Sequence, residues 1–309
     1  MNWEDTIIDA AATDTGMRRS NNQDSYTTVR APNPETWRNR GHLYLVADGM
    51  GAHAVGELAS KMACDLIPHT YLKSKVDKPQ VAITKAFREV SNLIYGRAQA
   101  NRDFKGMGTT SSALLLLPEG ALIAHVGDSR VYRIREERID QLSFDHSLVW
   151  ELVRRNHLTS EQANLSVPKN VITRSLGPEA TIEVDIEGPI PVQDQDVFVL
   201  CSDGLSGPIT DEEIGVLASN FHPKDACRYL VSLANLRGGL DNITTVVVRV
   251  GNWINPEGPA EEAPPKAAGN GTKSSSPDWR SKFKDLINGK RRAPSPPAET
   301  KGPYRTASC

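Results

Sequence analysis

The sequence predicts a layered α+β protein, and three observations carry that expectation. Strand-like runs are first separated by a pair of long helical segments and then follow one another directly, which is not the regular alternation of a βαβ repeat. The longest apolar runs, ALLLL at 113–117 and VFVLC at 197–201, have the length of buried strands and fall far short of a membrane span. Composition then changes at Asn255: residues 255–309 hold 9 of the 20 prolines in under a fifth of the chain. Such a segment cannot bury enough apolar surface to offset its ordering entropy. Residues 1–254 are therefore expected to form one domain, and 255–309 a Pro/Ser/Lys-rich tail.

Along the domain, HLYLVADGM (His42–Met50) reads as a strand running into a turn. Residues 56–75 read as a helix that Pro68 interrupts or kinks. Ile83, Ala86, Phe87, Val90, Leu93 and Ile94 share one face of a second helix. Residues 111–143 read as three strands, with turn signals at Pro118-Glu119-Gly120 and Glu136-Glu137. A polar helical stretch covers about 148–163. VFVLCSDG is a strand ending in a turn, and Thr210 or Asp211 caps the helix DEEIGVLASN. Ala226, Cys227, Leu230, Val231 and Ala234 give a last helical face, ended near Gly238-Gly239, and the β-branched NITTVVVRV closes the domain as a strand.

Several chemistries are excluded early. Lys and Arg total 36 against 38 Asp and Glu, net −2, which is not the basic charge of a nucleic-acid coat. The four cysteines have no CxxC spacing and suit a reducing cytoplasm, and MNWEDTIIDA lacks the features of a signal peptide. There is no GxxxxGK[ST] loop and no GxSxG elbow. The fifth residue after Cys201 is Ser206, followed by Gly207, so no cysteine-phosphatase loop is present.

What remains is the placement of four acids. Four times the sequence reads as an Asp at the end of an apolar strand, beside Gly or Asn: Asp48 (LVADGMG), Asp128 (AHVGDSR), Asp203 (VLCSDGL) and Asp241 (GGLDNIT). Asp-Gly and Asp-Asn are ordinary turn formers, but four in such positions point to one shared cleft. Clustered carboxylates repel unless a cation sits among them. All-oxygen ligation selects Mg²⁺ or Mn²⁺ over zinc. Two such ions about 4 Å apart polarise a bridging water and hold a phosphoryl oxygen in line with it. A guanidinium complements that charge, and Arg18 and Arg19 in TGMRRSNNQDSY are the candidates.

Taken together, TDTGMRRSNNQDSY, LVADGMGAHAVGELAS, MGTTSSALLL, IAHVGDSRVYRI, LSFDHSLVWELV, VITRSLG, VFVLCSDGLSGPITDEEI and GGLDNITTVVVRV resemble the metal-dependent type 2C serine/threonine protein phosphatases in their bacterial form. They cover nearly all of residues 8–250 in family order. The resemblance implies a four-layer αββα sandwich of two antiparallel sheets flanked by helices. It implies hydrolysis of phosphoserine and phosphothreonine in proteins by a metal-activated water, with two Mn²⁺ or Mg²⁺ ions and a third, weaker one. By motif position Asp48 would bridge the two metals and the Gly49 carbonyl would ligate one, with Asp203 and Asp241 completing the site. Asp128 would hold the third ion, Arg19 the phosphate, and Gln23 and Asp24 would support the site from behind. Residues 145–176 match the flap beside the cleft. The implied partners are phosphoproteins and an opposing serine/threonine kinase, with no nucleic acid, and the protein is expected to be a cytoplasmic monomer.

Three positions depart from the family pattern. Gln23 stands where Glu is common, removing a negative charge. Ala52 replaces a Gly. Met50 stands where animal enzymes carry a histidine, and nearby His53 is not assigned that role. A catalytically silent phosphoprotein-binding relative is the alternative reading, and retention of all four aspartates argues for the enzyme. In the tail, Trp279, Phe283, Leu286 and Ile287 fall on one helical face within 278–292, a segment of six basic and two acidic residues suited to weak docking on an anionic membrane or a partner groove.

Overall fold

A computed structural model describes residues 6–51, 55–154, 162 and 171–252. The chain falls into two units, Met1–Pro265 and Lys266–Cys309, and the described residues all belong to the first. The helix read at 278–292, the 255–309 tail, Ala52 and His53 lie outside the described residues.

The elements run β1 (Ile7–Asp14), β2 (Asp24–Val29), α1 (Pro34–Arg40), β3 (His42–Met50), α2 (Val55–Lys73), α3 (Pro79–Ala100), β4 (Gly108–Thr109), β5 (Ser111–Leu117), β6 (Gly120–Val126), β7 (Arg130–Arg135), β8 (Arg138–Gln141), α4 (Leu148–Arg154), β9 (Asp185–Ile190), β10 (Val197–Cys201), α5 (Asp203–Ser206), α6 (Asp211–Asn220), α7 (Pro223–Leu236) and β11 (Ile243–Val250). One sheet has the order β1-β11-β10-β7-β8; the other is β2-β3-β5-β6-β9, with β4 pairing β3. All pairings are antiparallel.

Period-two alternation builds the layers. On β3, Leu43, Leu45 and Ala47 pack against α2 and α3, while Tyr44 and Val46 face the other sheet. On β5, Ala113, Leu115 and Leu117 point to the helices, and Leu114 and Leu116 point between the sheets. There they meet Phe198 and Leu200 of β10 and Val246, Val248 and Val250 of β11. Both faces of these central strands are covered, so their sequences read as continuous apolar runs rather than alternating ones. Helix α7 covers the outer face of the first sheet at β1 and β11, burying Ala226, Cys227, Leu230, Val231 and Ala234. The architecture is the four-layer αββα sandwich.

Some local expectations change. Pro68 lies inside α2, buried, without ending it, because tertiary packing outweighs the lost backbone bond. Leu93 is 54% exposed while Ile83, Ala86, Phe87, Val90 and Ile94 are buried. At 100° per residue it sits about 80° off Ile83, on the margin of the apolar stripe. The 111–143 stretch holds four strands, because the chain breaks at Gly127 and passes from one sheet to the other. Gly127 has φ +116°, and a Cβ there would meet Thr110 at 2.5 Å, so only glycine fits the crossing. Thr210 is the α6 cap, in a capping box with Glu213.

Candidate active site

Antiparallel register gathers the polar turns at one end of both sheets. Asp48, near the end of β3, lies opposite Asp24 at the start of β2. Cys201, ending β10, pairs with Thr245 near the start of β11 and with Arg130 at the start of β7. Asp203, which opens α5 just after β10, Asp241, which stands in the helix-to-strand turn that opens β11 and not, as its sequence context suggests, at the end of a strand, and Asp128, in the crossing between β6 and β7, therefore share that end. Asp14, ending β1, pairs with Ile243, which brings the 15–23 connection, with Arg19 and Gln23, to the same place.

The backbone around these acids is tightly held. Thr109 Oγ1 and the Thr110 amide both donate to the Asp48 carbonyl, each at 2.9 Å. The Asp48 amide donates to Thr110 Oγ1 at 2.8 Å, and that hydroxyl shares a 2.7 Å bond with Ser129 Oγ, next to Asp128. The Gly49 amide donates to the Gln23 carbonyl at 3.1 Å. Ser202 Oγ donates to Asp24 Oδ2 at 2.7 Å and accepts the Thr244 amide at 3.0 Å. Gly204 cannot be replaced, because a Cβ there would sit 1.9 Å from the Asn242 carbonyl. The Gln23 side chain reaches toward the Gly51 carbonyl at 3.5 Å, beyond a good bond.

The charges of the acids are poorly served by comparison. Burial, then the charges of Asp24, Asp203, Asp128 and Asp241, pushes the Asp48 carboxyl well above its usual range. Burial and then Asp241 raise Asp203. Asp128 is pushed up to about 7 by burial and by Asp203 and Asp145. Asp24 is also pushed up to about 7, by burial first, against the bonds from Ser202 and Thr244. Oδ1 atoms of Asp24, Asp128 and Asp203 are buried with no hydrogen-bond partner among the described residues. Arg19 donates to Asp241 Oδ2 at 2.7 Å, and both side chains are substantially exposed, 49% and 32%.

These residues fit hard cations. Partnerless buried carboxylate oxygens are what a divalent ion satisfies, and the mutual repulsion is what its charge removes. Among the described residues no three His, Cys, Asp or Glu side chains are arranged to hold one ion on their own. Mg²⁺-like ions do not require that: they keep several waters and take one or two carboxylates.

The 145–176 segment is bolted down at its two ends. Arg130 holds Asp145 with Nε and Nη bonds of 2.6–3.1 Å. The His146 amide donates to the Gly127 carbonyl at 2.7 Å, and the Gly127 amide donates back to His146 Nδ1 at 3.0 Å. Ser147 bridges Ile172, and Leu176 pairs with Thr109 beside Asp48. His146 Nε2 and Arg174 both reach Asp185 of β9, at 3.0 and 2.7 Å.

Sequence reasoning missed Asn242. Its buried side chain donates to the carbonyls of Thr15 and Asn21, both at 2.9 Å, and accepts the Gln23 amide at 2.8 Å. It fastens the arginine-bearing connection to β11. The only signal was its place after Asp241 in the DN pair. The Arg19–Asp241 pair was missed too, because nothing local links residues 222 apart.

Residues 17–235 match the protein phosphatase 2C family. A putative protein phosphatase 2C-type of Streptococcus pyogenes is 36% identical over 240 residues, 76% of this chain and 94% of its own length. The serine/threonine phosphatase stp of Listeria monocytogenes is 34% identical over 243 residues, 76% of this chain and 93% of that protein. Among solved structures, the S. agalactiae serine/threonine phosphatase superposes with a TM-score of 0.72 at 35% identity, covering 79% of this chain and 99% of that one. The catalytic domain of PstP, solved with two manganese ions, gives 0.67 at 30% identity, covering 80% and 99%. With this fold and these relatives, the chain belongs to the protein phosphatase 2C family of metal-dependent protein serine/threonine phosphatases.

Proposed function

We propose that the chain hydrolyses phosphoserine and phosphothreonine in proteins at a binuclear Mn²⁺ or Mg²⁺ site, opposite a serine/threonine kinase. The observation that carries this reading is the convergence of Asp48, Asp128, Asp203 and Asp241 from both sheets, with buried oxygens of Asp128 and Asp203 that have no hydrogen-bond partner among the described residues. Asp48 would bridge the two ions, the Gly49 carbonyl would ligate one, Asp203 and Asp241 would complete the pair, and Asp128 would hold a third, weaker ion. When bound, the ions supply the positive charge that keeps these carboxylates ionised together and activate a water for attack on phosphorus.

The chain's own residues orient the substrate. Arg19 is the phosphate ligand. Its pairing with Asp241 is exposed, and exposed pairs are worth about 0.2–1 kcal/mol, so a phosphate dianion readily takes the guanidinium from it. Thr109, Thr110 and Ser129 hold the Asp48 backbone still. Asp24, backed by Ser202, and Gln23 support the ligands from behind, and Gln23 in place of Glu lowers the charge offered to one ion. Residues 1–254 form the catalytic unit in this reading, with 255–309 a tail and 278–292 its basic docking element. Among the described residues no helix is long and apolar enough to cross a membrane.

The test is hydrolysis of a phosphothreonine peptide with Mn²⁺, Mg²⁺ or EDTA. Turnover with Mn²⁺ that EDTA abolishes is expected. A folded protein that is inactive with every metal overturns the reading in favour of a silent binder.

A further inference from the structure

The three most exposed large apolar side chains among the described residues are Leu236 at 83%, Leu240 at 72% and Met17 at 69%; the next, Leu93, is 54% exposed. They do not come from scattered places. Met17 lies in the connection after β1, Leu236 ends α7, and Leu240 lies in the turn before β11.

The two turns interlock. The Met17 amide donates to the Gly239 carbonyl at 2.8 Å. Asp14 Oδ1 accepts both the Gly16 amide, at 2.8 Å, and Asn235 Nδ2, at 3.0 Å. Gly16 fits only because it has no side chain, since a Cβ there would meet the Asp241 carbonyl at 2.1 Å. Met17 Cγ and the Leu240 side chain lie beside Gly239 and Gly238 respectively. These bonds tie the two turns inward to one another, and the large apolar side chains are left facing solvent.

This patch is continuous with the candidate site. Met17 stands two residues before Arg19 and Leu240 one residue before Asp241, and the Arg19–Asp241 pair joins the two turns at the cleft. Arg18, between Met17 and Arg19, is exposed, and among the described residues no acid pairs with it. A phosphorylated segment whose phosphate reaches Arg19 runs beside the two turns that carry Met17, Leu240 and the exposed Arg18, with Leu236 at the end of α7 where the second turn begins. Exposed apolar groups of this size, fixed in well-bonded turns, mark an interaction site rather than a packing defect.

We propose that Met17, Leu236 and Leu240 form a docking patch for the substrate chain itself, taking a large apolar side chain within a few residues of the phosphorylated Ser or Thr, with Arg18 favouring an acidic neighbour. The proposal rests on the phosphatase reading above and names the sequence class of its substrate.

The experiment uses the full-length protein with Mn²⁺ and three substrates: p-nitrophenyl phosphate, a phosphothreonine peptide flanked by Leu and Glu, and the same peptide with both replaced by Ser. Wild type and the Met17→Ser, Leu236→Ser double variant are compared; Leu240 is left intact because it adjoins Asp241. Wild type is expected to prefer the Leu/Glu peptide by about five- to tenfold in kcat/KM, the scale of one partly buried apolar side chain. In the double variant that preference falls to about the residue left by Arg18, while p-nitrophenyl phosphate turnover stays within about twofold. The proposal is overturned if wild type shows no preference between the peptides, if the double variant keeps it in full, or if p-nitrophenyl phosphate turnover falls in parallel. A wild-type dimer that the double variant dissolves, with the peptide preference unchanged, assigns the patch to a second copy of the chain and also overturns it. No turnover of any substrate with Mn²⁺ overturns the parent reading, a different result from turnover without preference.

Discussion

The acids of this molecule fall into two populations. Asp145, Asp185 and Asp196 are held by arginines. Asp145 receives Arg130 and Gln141, Asp185 receives Arg174 and His146, and Asp196 receives Nε and Nη2 of Arg135, both at 2.7 Å, and the Gln193 amide. Asp24, Asp48, Asp128 and Asp203, at the strand ends, repel one another, and three of them keep a buried oxygen without a partner among the described residues. Asp185 and the strand-end acids titrate in opposite senses. The His146 bond, against burial, pulls Asp185 down to about 2, whereas burial and neighbouring charge push Asp24 and Asp128 up to about 7. Acids that hold the fold are satisfied by the fold. Acids left unsatisfied are in place for something the chain does not itself contain.

Neutralising one member of each population separates the two roles. Asp48→Asn removes the residue proposed to bridge the ions and relieves like-charge repulsion. Turnover of a phosphothreonine peptide should fall by about a thousandfold or more, with the thermal midpoint in EDTA unchanged or raised. Wild-type-like turnover would remove Asp48 from the site. Asp196→Ala does the reverse. The Asp196 side chain is fully buried against Arg135, and its loss leaves a cation without its partner. The cost should be about 3 kcal/mol in urea unfolding, with KM for the peptide unchanged in the folded protein.

The pH dependence of the metal-free protein tests the division next. Asp24 and Asp128 stay protonated in the fold up to about 7 but release their protons near the ordinary 3.8 when unfolded. The folded state therefore binds more protons between about 4 and 7, and stability falls as pH rises through that window. Burial holds His125 down to about 3, so it acts in the opposite sense between about 3 and 6.5 and partly masks the slope. The Asp185 contribution is complete above about 4 and is lost as pH falls through about 2. In EDTA the thermal midpoint should decline from pH 6.5 to 7.5, where His125 no longer compensates. Mn²⁺ should raise it more at pH 7.5 than at pH 5, and Asp128→Asn should flatten the decline. An apo stability that rises through neutral pH would contradict this account.

The smallest effect concerns Arg19. Arg19→Ala leaves the ions their carboxylates, so Mn²⁺ affinity, read by calorimetry, should hold or rise slightly. Peptide kcat/KM should drop by about 10–100-fold, the loss of one charge-assisted phosphate contact. A large loss of Mn²⁺ affinity would make Arg19 a scaffold residue instead.

Much of this was legible in the sequence. Strands β3, β5, β6, β10 and β11 announced themselves as apolar or β-branched runs, and the four aspartates stood out because each adjoined one of β3, β6, β10 and β11. The packed face of α7 followed from spacing alone. Strands β1 and β2 were not legible: IIDAAATD and DSYTTV are short and mixed, and become strands because β11 and β3 offer them an edge. The sheet crossing at Gly127 was hidden because β6 and β7 are both strand-like, and a three-residue break between them looks like continuation. The Asn242 clasp and the Arg19–Asp241 pair join residues more than 200 positions apart, beyond the reach of any local pattern.

The crossing at Gly127 has one more consequence. Asp48 belongs to one sheet, Asp203 and Asp241 adjoin the other, and Asp128 hangs on the strand-to-strand bridge between them. No half of the molecule carries the acid constellation alone, so a half-assembled chain presents only part of it to a cation. Ion uptake at such a place is coupled to the docking of the two sheets as a whole, and its binding free energy adds to the stability of the entire sandwich rather than of one loop. Under the proposed metal site, divalent metal would then act as a folding ligand, setting how much of this protein persists as well as how fast it works.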